Sequence, residues 1–189
     1  IISRSKVSAR YAATAKAAAS CGFEPAHVAA AMPEDYKSLD DMLIELFGAR
    51  RSVAQLSPFE VGLLISHKRA LALIARGSHA WGAVFEDDAY LHEEIAPSIA
   101  TSLLRRTFAE AAQWSITNKR RTPLLYLGSC SPQCERGLQD QTKVSGLPLG
   151  MVRGGHCHAY CTHAYALTRS HATRFFADVF GCNKGAATC

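Results

Sequence analysis

The sequence has 189 residues, 48% of them apolar, and a formal net charge of +5. This length fits one domain with a sizeable core, so we expect a single domain over residues 1–189. No apolar run is long enough to span a membrane. The basic residues cluster between Arg105 and Arg121 without aromatic interleaving, which favours a solvated face over a nucleic-acid surface.

Helices and strands alternate along the chain, and this alternation predicts an α/β sandwich around a mostly parallel sheet. Because the sequence opens inside a predicted strand and has no initiator Met, we expect it to be part of a longer chain. In chain order, the predicted elements are a strand ending at Ile1 and Ile2, a helix over Lys6 to Cys21, a short strand within 23–33, a helix from Ser38 to Gly48, a helix over Ser57 to Arg76, a strand up to Glu86, a helix opened by Pro97, a strand over Leu124 to Leu127, an irregular segment over 129–155, a strand over Ala164 to Leu167, and a last helix capped by Ser170.

The helix over Ser57 to Arg76 has the clearest boundaries. Ser57 is a predicted N-cap, Pro58 occupies the first helical position and Glu60 completes a capping box. Gly77 predicts a left-handed stop. The helix also contains Ser66 and His67, and a histidine there is either a hydrogen-bonded core residue or a ligand. Its apolar face is predicted to consist of Val61, Leu64, Ile65, Leu71 and Ala75.

The strand that follows ends in three consecutive acids, Glu86, Asp87 and Asp88. Adjacent carboxylates repel one another, so they form either a solvated acidic turn or a binding site for a cation. Hard oxygen ligands suit Mg²⁺ or Mn²⁺, which often share their coordination sphere with substrate phosphates. Open α/β sheets bind nucleotides in the crevice at the carboxyl ends of their strands.

Two motifs in this region resemble glycosyltransferase family 25, which includes bacterial lipooligosaccharide sugar transferases and collagen galactosyltransferases. The first is E-V-G-x-x-x-S-H-x-x-A-L, here Glu60 to Leu71, and the second is A-V-F-E-D-D-A, here Ala83 to Ala89. Weaker similarity extends over Ile1 to Glu24, Pro123 to Gly128 and Thr162 to Arg169. The diagnostic part is the block from Glu60 to Asp88.

The resemblance implies a GT-A-type, Rossmann-like domain that binds a nucleotide sugar. The reaction would transfer a sugar, such as a hexose like galactose, from a UDP-linked donor to a hydroxyl of a glycan or protein acceptor, assisted by Mn²⁺ or Mg²⁺. The proton acceptor stays open between Asp87, Asp140 and a residue beyond the sequence. The implied site residues are Asp87 and Asp88 for catalysis, Arg4, Arg10, Ser66, His67 and Glu86 for the donor, and Asp88, Glu86 and His163 for the metal, with His156 and His158 close in sequence.

Seven cysteines are many for this length. Cys130 and Cys134 form one pair by spacing, and Cys157 and Cys161 form another. The pairs suit disulfides in an oxidising compartment, or a zinc site completed by nearby histidines. Disulfides would place a eukaryotic protein in the secretory lumen, whereas a bacterial one would be cytoplasmic or membrane-peripheral. Two further readings remain: a non-catalytic glycosyltransferase-like binding domain, and a zinc-stabilised Cys/His interaction module.

Overall fold

The computed structural model describes residues 1–48, 55–89, 96–117, 124–128, 131–134, 139–140, 151–152, 157–160 and 164–180. The strands are β1 (Ile2–Ser3), β2 (Val28–Ala29), β3 (Trp81–Phe85), β4 (Leu124–Gly128), β5 (Ser131–Cys134), β6 (Gln139–Asp140), β7 (Met151–Val152), β8 (Cys157–Tyr160) and β9 (Ala164–Thr168). The helices are α1 (Ala9–Ser20), α2 (Leu39–Phe47), α3 (Pro58–Arg76), α4 (Pro97–Thr117) and α5 (Arg169–Phe180), with a 3₁₀ turn at Pro33–Asp35.

The strands form a mixed arrangement, which confirms the predicted α/β class. The sheet is not mostly parallel as predicted, because most of the strand pairs among the described residues are antiparallel. β1 and β2 make a parallel pair, and β3, β9 and β4 make a three-stranded sheet in which both neighbours of β9 are antiparallel to it. An isolated parallel bridge joins Ile2 to Glu86 and places β1 beside the end of β3. Therefore β2, β1, β3 and β4 run in one direction and β9 runs in the other. Two smaller antiparallel pairs, β5 with β8 and β6 with β7, lie between β4 and β9 in sequence.

Helices cover both faces of β3. On one face, an added Cβ at Gly82 would meet the Ile74 side chain of α3 at 2.5 Å. On the other face, Trp81 stacks on Phe108 of α4, and Phe85 packs edge-on against Phe23, which follows α1. Because successive side chains of a strand point to opposite faces, even-numbered residues of β3 face α3 and odd-numbered residues face the layer that contains α4.

The core lies mainly between the sheet and the layer that contains α3. The buried residues of α3 are Val61, Gly62, Ile65, Ser66, Ala70 and Leu71. Leu64, predicted on this face, is instead 39% exposed. The Cβ that Gly62 lacks would lie 2.4 Å from the carbonyl oxygen of Ala31. The backbone of α3 at Gly62 therefore packs directly against the backbone of the segment after β2.

The predicted ranges of α2 and α3 are correct, but α1 begins at Ala9 and not at Lys6, and the predicted roles of Gly77 and Ser170 are wrong. Ser57 and Glu60 form the expected capping box, and Gly48 ends α2 with φ of 71°. Gly77, however, is extended, with φ of −67°, because the chain leaves α3 directly toward β3. The cap of α5 is Thr168 and not Ser170, since the helix already begins at Arg169 and Thr168 Oγ1 accepts from the His171 amide at 3.1 Å.

A polar cluster connects α2 to α3. Glu45 Oε1 accepts from Arg69 Nε at 2.8 Å, and Glu45 Oε2 accepts from the Tyr36 hydroxyl at 2.7 Å. Lys68 donates to the Glu45 carbonyl and lies over the rings of Phe176 and Phe180 on α5. These contacts fix the orientation of α3 about its axis, and thereby the direction in which its side chains point.

In the part of the chain that the structure describes, no helix has the length and apolar character needed to cross a membrane.

Candidate functional site

The three acids lie where the two strand systems meet. Glu86 follows β3 directly and pairs with Ile2 of β1, so the acids stand at the C-terminal end of β3 and beside the end of β1. Their side chains divide between the two faces of the strand. Glu86 points to the α3 side, whereas Asp87 contacts residues of β1 and α1. The alternation seen in β3 therefore continues through Glu86 and Asp87. Asp88 lies in the turn that follows and contacts Arg10, as Asp87 does.

Both carboxylate oxygens of Asp87 are occupied. The buried hydroxyl of Ser3 donates to Oδ2 at 2.9 Å, and Arg10 lies 3.1 Å from Oδ1. Ser3 ends β1 and Arg10 belongs to the first turn of α1, so the β1–α1 unit holds Asp87 from two directions. This engagement suits an orienting role for Asp87 better than a role as proton acceptor.

Arg10 also contacts the neighbouring acid. The same guanidinium nitrogen, Nη2, lies 3.2 Å from Asp88 Oδ2. The Arg10 side chain is 61% exposed and that of Asp88 is 41% exposed, so solvent screens the pair and its contribution to stability is small. Separating Arg10 from Asp88 therefore costs little.

Thr14 anchors the backbone of the acidic segment. Its hydroxyl lies 3.0 Å from the carbonyl oxygens of both Asp87 and Ala89, and its side chain is buried. Neither Ser3 nor Thr14 is among the residues that the sequence predicts to be functional. A signal for Thr14 existed, since it lies four residues after Arg10 and so shares its helix face.

Glu86 faces a histidine–tyrosine pair on the α3 side. His67 Nε2 lies 3.6 Å from Glu86 Oε1, and His67 Nδ1 lies 2.9 Å from the hydroxyl of Tyr165. The two rings are stacked, with centroids 5.6 Å apart and planes 29° apart. Tyr165 comes from β9, 98 residues after His67, so this contact depends on the folded sheet.

Two residues predicted to bind the donor lie elsewhere. The Ser66 hydroxyl is buried, donates to the Gly62 carbonyl at 2.8 Å and accepts from the Ala31 amide at 2.9 Å. Its place is in the packing of α3. Arg4 is exposed and pairs with Glu34. Of the seven donor and catalytic predictions, the structure therefore brings together Arg10, His67, Glu86, Asp87 and Asp88.

The other predicted metal and cysteine residues fall largely outside the described chain. His156, His163, Cys130 and Cys161 lie outside it, and for Asp140 and His158 the structure describes only the strand backbones of β6 and β8. Cys134 and Cys157 are register partners in the β5–β8 pair. Within the described residues, no group of three or more His, Cys, Asp or Glu side chains is arranged to hold a metal ion.

No family model matches the sequence, and no curated protein matches it.

Proposed function

We propose that this domain is a glycosyltransferase that moves a sugar from a nucleotide-sugar donor, UDP-linked, to a hydroxyl of a glycan or protein. The observation that carries the proposal is the meeting of Ser3 and Arg10, from the β1–α1 unit, with Asp87 and Asp88, which follow β3. Polar side chains from the ends of two parallel strands, and from the helix that follows the first strand, thus meet in one cluster.

The strand arrangement supports a nucleotide-binding role. Through the Ile2–Glu86 bridge the strand order is β2–β1–β3–β9–β4, with helices on both faces. In open α/β sheets, ligands bind in the crevice outside the carboxyl ends of the strands. The acids and Arg10 lie at that edge, and the motifs similar to family 25 of the glycosyltransferases lie in α3 and in the acidic segment.

Each residue of the site has a chemical task in this proposal. Arg10 presents a planar, permanently charged guanidinium, which suits recognition of the donor diphosphate. Asp87, held by Ser3, keeps the acidic segment in place. Asp88 is half-exposed and available to a ligand once Arg10 turns to the phosphates.

The donor atoms at this edge fit a divalent cation in chemical type. Carboxylate oxygens are the hard ligands that Mn²⁺ and Mg²⁺ prefer, and Asp88 with Glu86 would hold the ion. When bound, such an ion neutralises the negative charge that develops on the departing nucleoside diphosphate. Arg10, which lies 3.2 Å from Asp88, would add positive charge beside the same phosphates.

A non-catalytic binding domain is the second candidate, and the contact of Arg10 with both aspartates favours it. The Arg10 guanidinium already pairs with both carboxylates, as it would in a purely structural ion-pair cluster. Donor binding without donor cleavage is the behaviour that would distinguish this candidate from an enzyme.

The test measures thermal stability with a panel of nucleotide sugars, with and without Mn²⁺, for wild type and Asp88→Ala. A ligand at 100 times its Kd stabilises by about 2.7 kcal/mol, which raises Tm by several degrees. Asp178→Ala, at an exposed position of α5, is the matched control. We expect a metal-dependent rise with a UDP-sugar that Asp88→Ala abolishes and Asp178→Ala retains.

Donor cleavage is then followed as release of UDP without acceptor and with simple glycan acceptors. Metal-dependent release supports the transferase, and binding without release supports the non-catalytic candidate. If no nucleotide sugar stabilises the protein, with or without Mn²⁺, both the transferase and the non-catalytic binding domain are overturned.

A further inference from the structure

His67 is positioned between two polar side chains on the α3 face of the sheet. Glu86 lies two residues after Val84 and therefore on the same face of the strand. Val84 is the register partner of Tyr165 on the central strand β9, and directly opposite residues place their side chains on one face. The sheet thus fixes the positions of the Glu86 carboxylate and the Tyr165 hydroxyl, and the His67 imidazole lies between them.

Of the two neutral tautomers of the imidazole, these contacts favour one. An ionised carboxylate only accepts hydrogen bonds, so electrostatics favour an N–H at His67 Nε2, which faces Glu86 Oε1 at 3.6 Å. A neutral imidazole then has a lone pair at Nδ1, and the Tyr165 hydroxyl donates to it at 2.9 Å. In the opposite tautomer, the Nε2 lone pair would face the carboxylate and the two would repel.

His67 is poorly placed to touch a ligand itself. Its side chain is 16% exposed and its ring is stacked on Tyr165. Glu86 is more accessible, at 26%, and stands at the edge where the donor is proposed to bind. An effect of His67 on the site must therefore pass through Glu86.

We propose that His67, held in its Nε2–H form by Tyr165, is a positioning residue that orients Glu86 for the nucleotide-sugar donor and its cation. This inference rests on the proposed function for its ligand. Its structural content, the tautomer and the direction of the Tyr165 hydrogen bond, does not depend on that function.

The first experiment determines the tautomer by NMR of protein labelled with ¹⁵N-histidine, at about pH 8.5, where a free imidazole is neutral. The spectrum of His67→Gln identifies the His67 signals by their loss. We expect hydrogen at Nε2 in wild type and a mixture of tautomers in Tyr165→Phe. Hydrogen at Nδ1 in wild type would overturn the inference.

The second experiment measures the affinity for UDP with Mn²⁺ by calorimetry. Loss of residues that orient a ligand-binding group costs about 10- to 100-fold in affinity, so His67→Leu should weaken UDP binding about tenfold or more. His67→Gln, whose amide can donate near the place of Nε2, should recover part of that loss. Wild-type affinity in His67→Leu would overturn the inference.

The two experiments separate the two proposals. If wild type fails to bind UDP or any nucleotide sugar, the proposed function fails, and the positioning role for a donor fails with it. If wild type binds UDP and equal losses occur in His67→Leu and His67→Gln, the residue has only a packing role and the inference alone is overturned. Circular dichroism and Tm of each variant confirm that it is folded.

Discussion

Replacing Gly62 by alanine tests how closely α3 approaches the segment after β2. An added Cβ would lie 2.4 Å from the carbonyl oxygen of Ala31 and 3.5 Å from Met42 Cε. The first distance is about 1 Å shorter than an ordinary contact of ~3.5 Å. The atom that the added Cβ would meet belongs to the main chain of Ala31. The clash can therefore be removed only if α3 or the segment after β2 moves, and not by rotation of a flexible side chain.

Two effects of opposite sign compete in this variant. Alanine is better than glycine in a helix interior by about 1 kcal/mol. Overpacking costs about 1–3 kcal/mol and reaches the upper end where backbone must shift. We therefore expect a net loss of about 2 kcal/mol in the free energy of unfolding. With an unfolding entropy of about 2.1 cal/mol/K per residue, this loss lowers Tm by about 5 °C.

The assay is urea unfolding of wild type, Gly62→Ala and the matched control Gly77→Ala. Gly77 ends the same helix with an ordinary φ of −67°, and an added Cβ there would lie 3.2 Å from the Leu73 carbonyl oxygen, a milder contact than at Gly62. Alanine at Gly77 should therefore change stability by less than about 1 kcal/mol. A stability gain in Gly62→Ala would refute the reasoning, because helix propensity alone predicts that sign. Since Ser66 contacts the same Ala31, Gly62→Ala and Ser66→Ala should together cost less than the sum of the single variants.

Three further predictions concern the anchoring of the site, the α2–α3 cluster and the cysteines. Thr14→Val keeps the side-chain shape but removes the hydroxyl near two carbonyl oxygens, so urea unfolding should show a loss of about 1–3 kcal/mol. Burial raises the pKa of Glu45, but the hydrogen bond from Arg69 and further favourable contacts outweigh it and hold that pKa below its ordinary 4.5. A carboxylate with a depressed pKa in the folded state stabilises the protein above its unfolded-state pKa, and this stabilisation is lost as the pH falls. Glu45→Gln should therefore lose less stability than wild type between about pH 5.5 and 3. Equal slopes of stability against pH in the two proteins would contradict this. Opposite residues of an antiparallel pair have Cα atoms about 4.5–5.5 Å apart, within the range for disulfides, so non-reducing peptide mapping should find Cys134 linked to Cys157, whereas stoichiometric zinc would favour the metal alternative.

The sequence predicted the ends of helices correctly where the capping interactions involve residues within one helical turn. Ser57, Pro58 and Glu60 identify the start of α3 because each acts within one helical turn. Gly77 was assigned the wrong conformation because the end of a helix also depends on where the chain must go next, here directly toward β3. The antiparallel direction of β9 likewise depends on pairing with strands far away in sequence.

The site shows the same division. Adjacency in sequence identified Glu86, Asp87 and Asp88 as a group, but it did not show that the alternation of a strand sends Glu86 and Asp87 to opposite faces. The roles of Ser3 and Thr14 were not predicted, because hydroxyl residues are common and their partners lie 84 and 73 residues away in sequence. Only the parallel approach of β1 to β3 makes those contacts.

The motif from Glu60 to Leu71 serves the fold more than it serves a ligand. Glu60 caps α3, and Gly62 and Ser66, one helical turn apart, both contact Ala31 and set the distance of α3 from the segment after β2. That distance, together with the Glu45 cluster, fixes where His67 meets Glu86. This motif therefore bears on the placement of α3, while the proposal of sugar transfer rests on the acidic segment and on Arg10. A relative that kept the helix motif but lost Asp88 would retain the architecture without the proposed chemistry, which is why Asp88→Ala is the variant that tests function.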